Sequence, residues 1–544
     1  MEKMLLLGAE AIAQGALDAG LSGVYAYPGT PSTEITTYIQ NSSEAAERKI
    51  RANWSVNEKT AYEAALGMSF TGKRTMVCMK HVGLNVAADA FINSAVTGVN
   101  GGLIIVVADD PSMHSSQNEQ DSRFYGKFAM IPVLEPSTQQ EAYDAVRYGF
   151  EISEKFSLPV MMRVTTRMSH SRSGIARSKV LPQNAINFPS DPMQFMLLPA
   201  FARKQYHKLI EIQGELERES ENSKLNKIEI NNKGGIGVLA CGIGYNYLLE
   251  NIAQTRSSYN ILKVSQYPLP RNMVEQLFAN SSKVLVLEEG YPIYEELLRG
   301  YLNSATAVPI DGRLNGVVVR EGELDPDNVA LALGKKTSQP ESIDGIVKNR
   351  PLQLCQGCSH HDMYEALNEV LAGFPIKKVF ADIGCYTLGA IPPLKAIDTC
   401  VDMGASITMA KGAADAGFRP SVAVIGDSTF THSGITGLLD CVNDQSAVTI
   451  IISDNSTTAM TGGQDSSGTG RLVEICVGVG VNPEHIRVIE PLGKNFEANV
   501  AILREEVNYE GVSVILAQRE CIQTQLRRKK TEKKDDPLVR NCKH

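Results

Sequence analysis

No apolar run in these 544 residues approaches the ~20 that a membrane span requires. Residues 1–7 hold a lysine and a few leucines but have neither the length nor the cleavage site of a signal peptide, and they read as a first strand. A cytoplasmic protein is the expectation. Disulfides are uncommon there, so the 10 cysteines need another account. There is no basic surplus: 53 Lys and Arg against 61 Asp and Glu leave a net charge of −8, which gives no reason to expect nucleic acid. The one basic stretch, 527–534, is offset at once by Asp535 and Asp536 and reads as a solvated tail. Short-period repeats are missing as well. A composition of 43% hydrophobic and 21% charged residues argues against long disorder. The length exceeds the roughly 250–300 residues at which one core stops growing, so two to four domains are expected.

What is present is alternation of strand and helix. Residues 8–21 read as a helix, 23–27 as a strand and 58–72 as an Ala-rich helix; strands follow over 75–80, 102–108 and 160–164. The Leu-Ile-Ile-Val-Val run within 102–108 suits a strand buried on both faces of a parallel sheet. Residues 200–232 look helical and highly charged, a connecting arm. A second unit has strands over 236–240 and 283–288, a third over 379–383, 421–425, 448–453 and 512–517. The fold class is α/β, with three doubly wound domains whose sites lie at the carboxyl ends of strands. The expected division is 1–195, an arm over 196–234, a domain over 235–335, a linker over 336–350, a domain over 351–525 and a polar tail over 526–544. Gly242-Ile243-Gly244 lacks the third glycine of a dinucleotide fingerprint, Asn246 standing near its place, and reads as structural.

Two strand ends in the third unit carry chemistry. One apolar strand runs into Gly426-Asp427-Ser428, and the next into Ser453-Asp454-Asn455, with Asn455 28 residues after Asp427. In a parallel sheet both ends reach one edge, so a carboxylate and an amide oxygen converge there. Hard oxygen ligands suit Mg²⁺. Residues 433–437 are expected to open the following helix and offer N–H groups to phosphate. Two ordinary strand-end turns are the alternative. Cys355-x-x-Cys358 opens the same unit, and Cys385 follows its first strand. One Cys-x-x-Cys could be redox, zinc or incidental, and a third cysteine narrows this toward a metal site. Cys78, Cys241, Cys400, Cys441 and Cys476 read as small core residues, and Cys542 falls in the tail. In the first unit, Glu58 at a helix start reads by itself as a cap or a solvated acid.

Longer motifs resolve several of these alternatives. Tyr27-Pro-Gly-Thr30-Pro-Ser-Thr-Glu34, residues 54–59, Met79-Lys80-His81-Val-Gly-Leu-Asn85 and 107–123 resemble, in order, the indolepyruvate branch of the 2-oxoacid:ferredoxin oxidoreductases. The Gly426-Asp427 and Asn455 spacing and Thr461-Gly462-Gly-Gln464 resemble the same family. The resemblance implies domains of the thiamine-diphosphate-enzyme type: pyrimidine-binding over 1–195, transketolase C-terminal-like over 235–335 and diphosphate-binding over 351–525. It implies Mg²⁺ on Asp427, Asn455 and the Thr457 carbonyl, with Gly426, Ser428, Thr461 and Gly462 completing the cofactor set. It makes Glu58 the carboxylate that activates the aminopyrimidine, and Thr30 the contact for the substrate carboxylate or keto group. His81 and Arg123 are further catalytic candidates, although Arg123 could equally fix its own loop through Asp121, and Lys80 is weaker still. A [4Fe–4S] cluster on Cys355, Cys358, Cys385 and Cys521 is also implied.

The implied activity is oxidative decarboxylation of aryl 2-oxoacids, indolepyruvate foremost, to the aryl-acetyl-CoA, with coenzyme A, ferredoxin and a smaller beta subunit as partners in a dimer of heterodimers. The sequence shows no C-terminal ferredoxin-like run of Cys-x-x-Cys-x-x-Cys, so electrons are expected to pass from the cluster to external ferredoxin or through another subunit. The alternatives are a non-oxidative thiamine decarboxylase and a non-catalytic cofactor-binding subunit.

Overall fold

A computed structural model describes residues 3–191, 193–301, 308–337 and 353–535; Cys542 and most of the expected linker lie outside them. The chain forms two compact units, 1–341 and 342–544. Among the described residues no helix is long and apolar enough to cross a membrane.

The first unit opens with β1 (Lys3–Leu7) and α1 (Gly8–Asp18). There follow β2 (Gly23–Ala26), β3 (Arg51–Trp54), α2 (Glu58–Phe70), β4 (Thr75–Lys80), α3 (His81–Thr97), β5 (Leu103–Asp109), β6 (Val133–Leu134), α4 (Gln139–Phe156), β7 (Val160–Thr165) and β8 (Arg172–Ala176). The first strand does not enter the main sheet; it pairs antiparallel with β8. β5 is buried at every position, as its unbroken apolar run requires when helices cover both faces. Then come α5 (Pro199–Glu211), α6 (Gln213–Asn222), β9 (Lys227–Glu229), β10 (Gly235–Cys241), α7 (Gly242–Ile252), β11 (Tyr259–Val264), β12 (Gln266–Tyr267), β13 (Ser281–Leu287) and β14 (Ile310–Asp311).

Two large sheets result, ordered β12-β6-β7-β5-β4-β2-β3 and β14-β13-β10-β11-β9, parallel except where β12 meets β6 and β9 meets β11. The short edge strands explain the compactness of this unit. β9 leaves the charged arm to join the second sheet, and β12 leaves the second stretch to join the first. At the start of α7, a Cβ on Gly244 would lie 3.1 Å from the Leu287 carbonyl oxygen, so this glycine permits close helix–strand packing.

The second unit holds α8 (Ser359–Leu371), β15 (Val379–Ala381), β16 (Val422–Gly426), β17 (Val448–Asp454), a hairpin of β18 (Thr457–Thr458) with β19 (Gln464–Asp465), β20 (Ile486–Ile489), β21 (Val512–Gln518) and α9 (Ile522–Asp535). Its five-stranded sheet, β15-β16-β17-β21-β20, is parallel throughout.

Three expectations are corrected. The helix after β16 begins at Asp427 itself and widens into a π-type turn over Phe430–Gly434. Residues 433–437 are therefore about two to three turns inside the helix, and the open N–H groups belong to the turn at Gly426. Cys400 is exposed on a loop rather than buried. The basic stretch is not simply a solvated tail: α9 carries it through Asp535, and Arg527 donates to the Gly462 carbonyl at 2.7 Å.

Candidate active site

In the first unit, parallel strands deliver the motifs to one edge of the sheet. The Tyr27–Glu34 motif follows β2, Glu58 follows β3, Lys80-His81 follow β4, Asp109-Asp110 end β5 and Thr166 follows β7. Asn57 caps α2, its side chain accepting from the Thr60 N–H at 2.8 Å, which sets Glu58 in the first helical turn. Glu58 is only 5% exposed. Its carboxylate lies flat on the first turn of α3: a Cβ on Gly83 would stand 2.5 Å from Glu58 Oε1 and 2.6 Å from its Cγ. Gly83→Ala is therefore expected to displace the carboxylate and lower kcat by about 10²-fold, the scale of an ångström misplacement. Helix propensity alone would make that variant more stable, so a kcat loss with an unchanged melting temperature and thiamine content is the checking measurement.

His81, next along, is 1% exposed. Its Nε2 meets Asn118 Oδ1 at 3.2 Å, and its Nδ1 has no hydrogen-bond partner. Thr30, half-buried, begins a cis peptide to Pro31, and its carbonyl accepts from Ser115 Oγ at 3.4 Å. Lys80 is buried beneath this turn; its Nζ donates to the Ser115 carbonyl at 2.6 Å.

Arg123 is placed differently. Its guanidinium binds Asp121 through Nε and Nη2, meets Glu288 at 3.2 Å and Glu135 at 3.4 Å through Nη1, and donates to the carbonyls of Glu289 and Tyr291. All its donors are engaged inside the core, between residues of the first sheet and the loop after β13. Arg163 reinforces the cluster through Asp109 at 2.8 Å and Glu135 at 2.6 Å. Burial pushes the Asp121 carboxyl up, but Arg123 and Arg163 outweigh it and hold it down to about 2. Glu288, buried beside Arg123, is pushed up to about 7. The geometry makes Arg123 a structural tie, the alternative that Asp121 already suggested in the sequence.

In the second unit, Asp427 sits at the end of β16, 2% exposed, with Oδ2 lacking any hydrogen-bond partner. Burial, then the nearby Asp454, pushes its carboxyl up to about 7. Asp454 is by contrast engaged, accepting from the Ser456 N–H at 3.0 Å and Gln518 Nε2 at 2.9 Å. Unlike Asp454, Asp427 has a buried oxygen with no hydrogen-bond partner. Asn455 lies beside it on the next strand; its Oδ1 accepts from the Thr457 N–H at 3.2 Å and its Nδ2 meets His360 Nε2 at 3.3 Å. Ser428 Oγ and Thr458 Oγ1 are 2.9 Å apart, joining the two turns. Thr461 and Gln464 close the intervening loop on themselves, and Gly462, at φ 130, holds a conformation that a side chain would strain. An orphaned buried carboxylate oxygen at this edge fits a hard divalent cation.

Three residues here escaped the sequence reading. His360 is buried and held neutral, its pKa lowered to about 4 by desolvation. Asp382 is pushed up to about 6 by burial; it accepts from the Ser406 N–H at 3.0 Å and from the Tyr386 hydroxyl. The Tyr386 ring lies against Gly426, where a Cβ would come within 2.7 Å of it. The paired His360-His361 just after Cys358 is a visible signal for His360; nothing marks the other two.

The four cysteines converge at the same edge. Burial raises the Cys385 thiol to about 12, and the neighbouring Cys358, Cys521, Cys355 and Asp427 add to the shift. Cys358 is likewise raised by burial and then by Cys355 and Cys521. Arg519 gathers them: its N–H donates to the Asp454 carbonyl at 3.0 Å, Nη2 to the Gly357 carbonyl at 2.6 Å and Nη1 to Asp362 at 2.6 Å. Cys521 follows two residues later and donates its N–H to the Asn455 carbonyl at 3.1 Å. Among the described residues, no three of these sulfurs lie within 4.8 Å of one another, whereas a zinc ion holds its thiolates about 3.8 Å apart.

Comparison with known proteins gives the following. Residues 14–194 match the family described as "Pyruvate flavodoxin/ferredoxin oxidoreductase, thiamine diP-bdg", and 382–514 match "Thiamine pyrophosphate enzyme, C-terminal TPP binding domain". Indolepyruvate oxidoreductase subunit IorA of Archaeoglobus fulgidus is 39% identical over 96% of this chain and 86% of its own length. The protein of the same name from Pyrococcus abyssi is 38% identical over the same shares. The 2-oxoglutarate synthase subunit KorA of Archaeoglobus fulgidus is 24% identical over 59% of this chain and 91% of its own length.

Proposed function

Because the chain belongs to the family of the indolepyruvate oxidoreductase IorA subunits, we propose that it is the thiamine-bearing subunit of an enzyme that oxidatively decarboxylates aryl 2-oxoacids, indolepyruvate foremost, to the aryl-acetyl-CoA. The observation that carries this reading is the convergence, at one edge of the third sheet, of an orphaned buried carboxylate and four thiols. Thiamine diphosphate, when bound, supplies the carbanion chemistry that breaks the bond between a carboxylate and a neighbouring carbonyl carbon. The first unit carries a residue suited to the pyrimidine, and the second carries residues suited to the diphosphate. Asp427, Asn455 and the Thr457 carbonyl would hold Mg²⁺ against the diphosphate, with Gly426, Ser428, Thr461 and Gly462 shaping the turn around it. Glu58 holds a proton at a pyrimidine nitrogen, in surroundings dry enough to strengthen that bond. Thr30 contacts the substrate. Cys355, Cys358, Cys385 and Cys521 would hold a [4Fe–4S] cluster that hands electrons singly to ferredoxin. Coenzyme A collects the acyl group. A smaller beta subunit completes the enzyme as a dimer of heterodimers.

The test is anaerobic co-expression with the smaller subunit, assayed for CoA-dependent reduction of a viologen dye with indolepyruvate, phenylpyruvate and pyruvate in parallel. Iron near four per chain is expected. Cys385→Ser should remove the iron absorbance and the dye reduction together; dye reduction at full rate without iron would overturn the cluster.

A further inference from the structure

A 2-oxoacid presents a carboxylate, and Arg123 has no donor left for it. Lys80, a buried cation beside the Thr30 turn, has donors left. Lys80 stands at the end of β4, in the cap position before α3, and is 9% exposed. Its stem runs under the turn after β2, where a Cβ on Gly29 would be 3.3 Å from Lys80 Cβ and 4.0 Å from its Cδ. An ammonium has three N–H donors, and that of Lys80 makes one hydrogen bond, to the Ser115 carbonyl at 2.6 Å. The Ser115 hydroxyl in turn reaches the Thr30 carbonyl. Among the described residues Lys80 makes no ion pair within 4.0 Å.

The nearest acid does not neutralise it. Asp110, at the end of β5, accepts from the Ser115 N–H at 2.8 Å and from the hydroxyls of Ser116 and Thr166 at 2.6 Å each. It acts on Lys80 only through its charge. A buried ammonium with donors to spare, beside the Thr30 turn and at the N-terminus of a 17-residue helix, suits an anion. The neighbouring His81 Nδ1, buried and without a partner, is a second polar atom at the same helix start.

We propose that Lys80 is the group that binds the carboxylate of the 2-oxoacid, with Thr30 beside it, a specificity-determining residue for the reaction proposed above and resting on that reading. The ammonium would select for the acid group of the substrate and not for its side chain. Desolvation lowers its pKa to about 8, partly offset by Asp110. Asp110 is itself influenced by His170, paired with Glu34 at 3.4 Å. Carboxylate binding therefore weakens as pH rises through about 8 and the ammonium loses its proton.

The experiment compares two ligands of one skeleton on the complete enzyme: indolepyruvate, and indole-3-acetone, in which a methyl replaces the carboxylate. Lys80→Met keeps the stem and removes the charge. It should weaken indolepyruvate roughly 10–100-fold, the worth of a charged hydrogen bond, in KM rather than kcat, and leave inhibition by indole-3-acetone unchanged. Lys80→Arg should recover most of the loss and abolish the rise of KM above pH 8 expected of the wild type. Equal weakening of both ligands, or none of either, overturns the proposal while wild-type turnover still upholds the functional reading. If Lys80→Met fails to fold, Lys80→Gln is compared on the same two ligands, and equal weakening of both or of neither overturns the proposal. A wild type that turns over no 2-oxoacid defeats the reading itself.

Discussion

Glu58→Gln should lower kcat by about 10²–10⁴-fold while thiamine diphosphate remains bound. The substitution keeps the length of the side chain, its fit against Gly83 and an oxygen that can accept a hydrogen bond. What it removes is the capacity to hold a proton at the ring nitrogen and a negative charge in a dry site, where charge is worth most. Nothing in the local fold should change, since Asn57 and not Glu58 caps the helix. Bound cofactor should be equal in the two proteins, because the diphosphate residues belong to another sheet. Glu58→Asp, one methylene shorter, should fall between them. Turnover by Glu58→Gln within tenfold of wild type would sink the role given to this carboxylate, and a loss of cofactor would show that the effect lies in binding.

The elements that the sequence revealed are those whose pattern is dictated locally. β5 and β17 are continuous apolar runs because both faces are covered, and their ends could be located within a residue or two. Family membership was legible too, since motifs such as residues 27–34 and 79–85 are long and ordered. The short edge strands β9, β12 and β14 were not, because two or three residues carry no period and pair only where tertiary packing places them. Arg123 shows the same limit at a site residue. Its partners Glu135, Glu288 and the carbonyls of Glu289 and Tyr291 lie 12 to 168 residues away, so the sequence displayed Asp121 and hid the rest. The helix after β16 starts earlier than the expected 433–437 because the fold begins it at the strand end and absorbs Ser433 and Gly434 in a π-type turn.

Asp427→Asn should have opposite effects on the metal-free and the loaded protein. In the metal-free chain this carboxyl is pushed up to about 7 by burial and by Asp454, against an unfolded value near 3.8. The folded state thus keeps a proton that the unfolded state releases, and stability is lost as pH rises from the lower value through the higher. Asn cannot ionise, so at pH 8 the metal-free variant should melt above the metal-free wild type. Cation binding reverses the order. Mg²⁺ with thiamine diphosphate at a hundredfold excess over Kd stabilises the wild type by about 2.7 kcal/mol, a rise of roughly 5–10 °C for a unit of this size. The variant, left with a weaker neutral oxygen in place of the anionic ligand, should lose most of that rise together with its activity. Differential scanning calorimetry at pH 6 and pH 8, with and without both ligands, reads all four states. A variant that kept the ligand-induced rise would remove Asp427 from the metal site, since its unpartnered oxygen would then have no cation to meet.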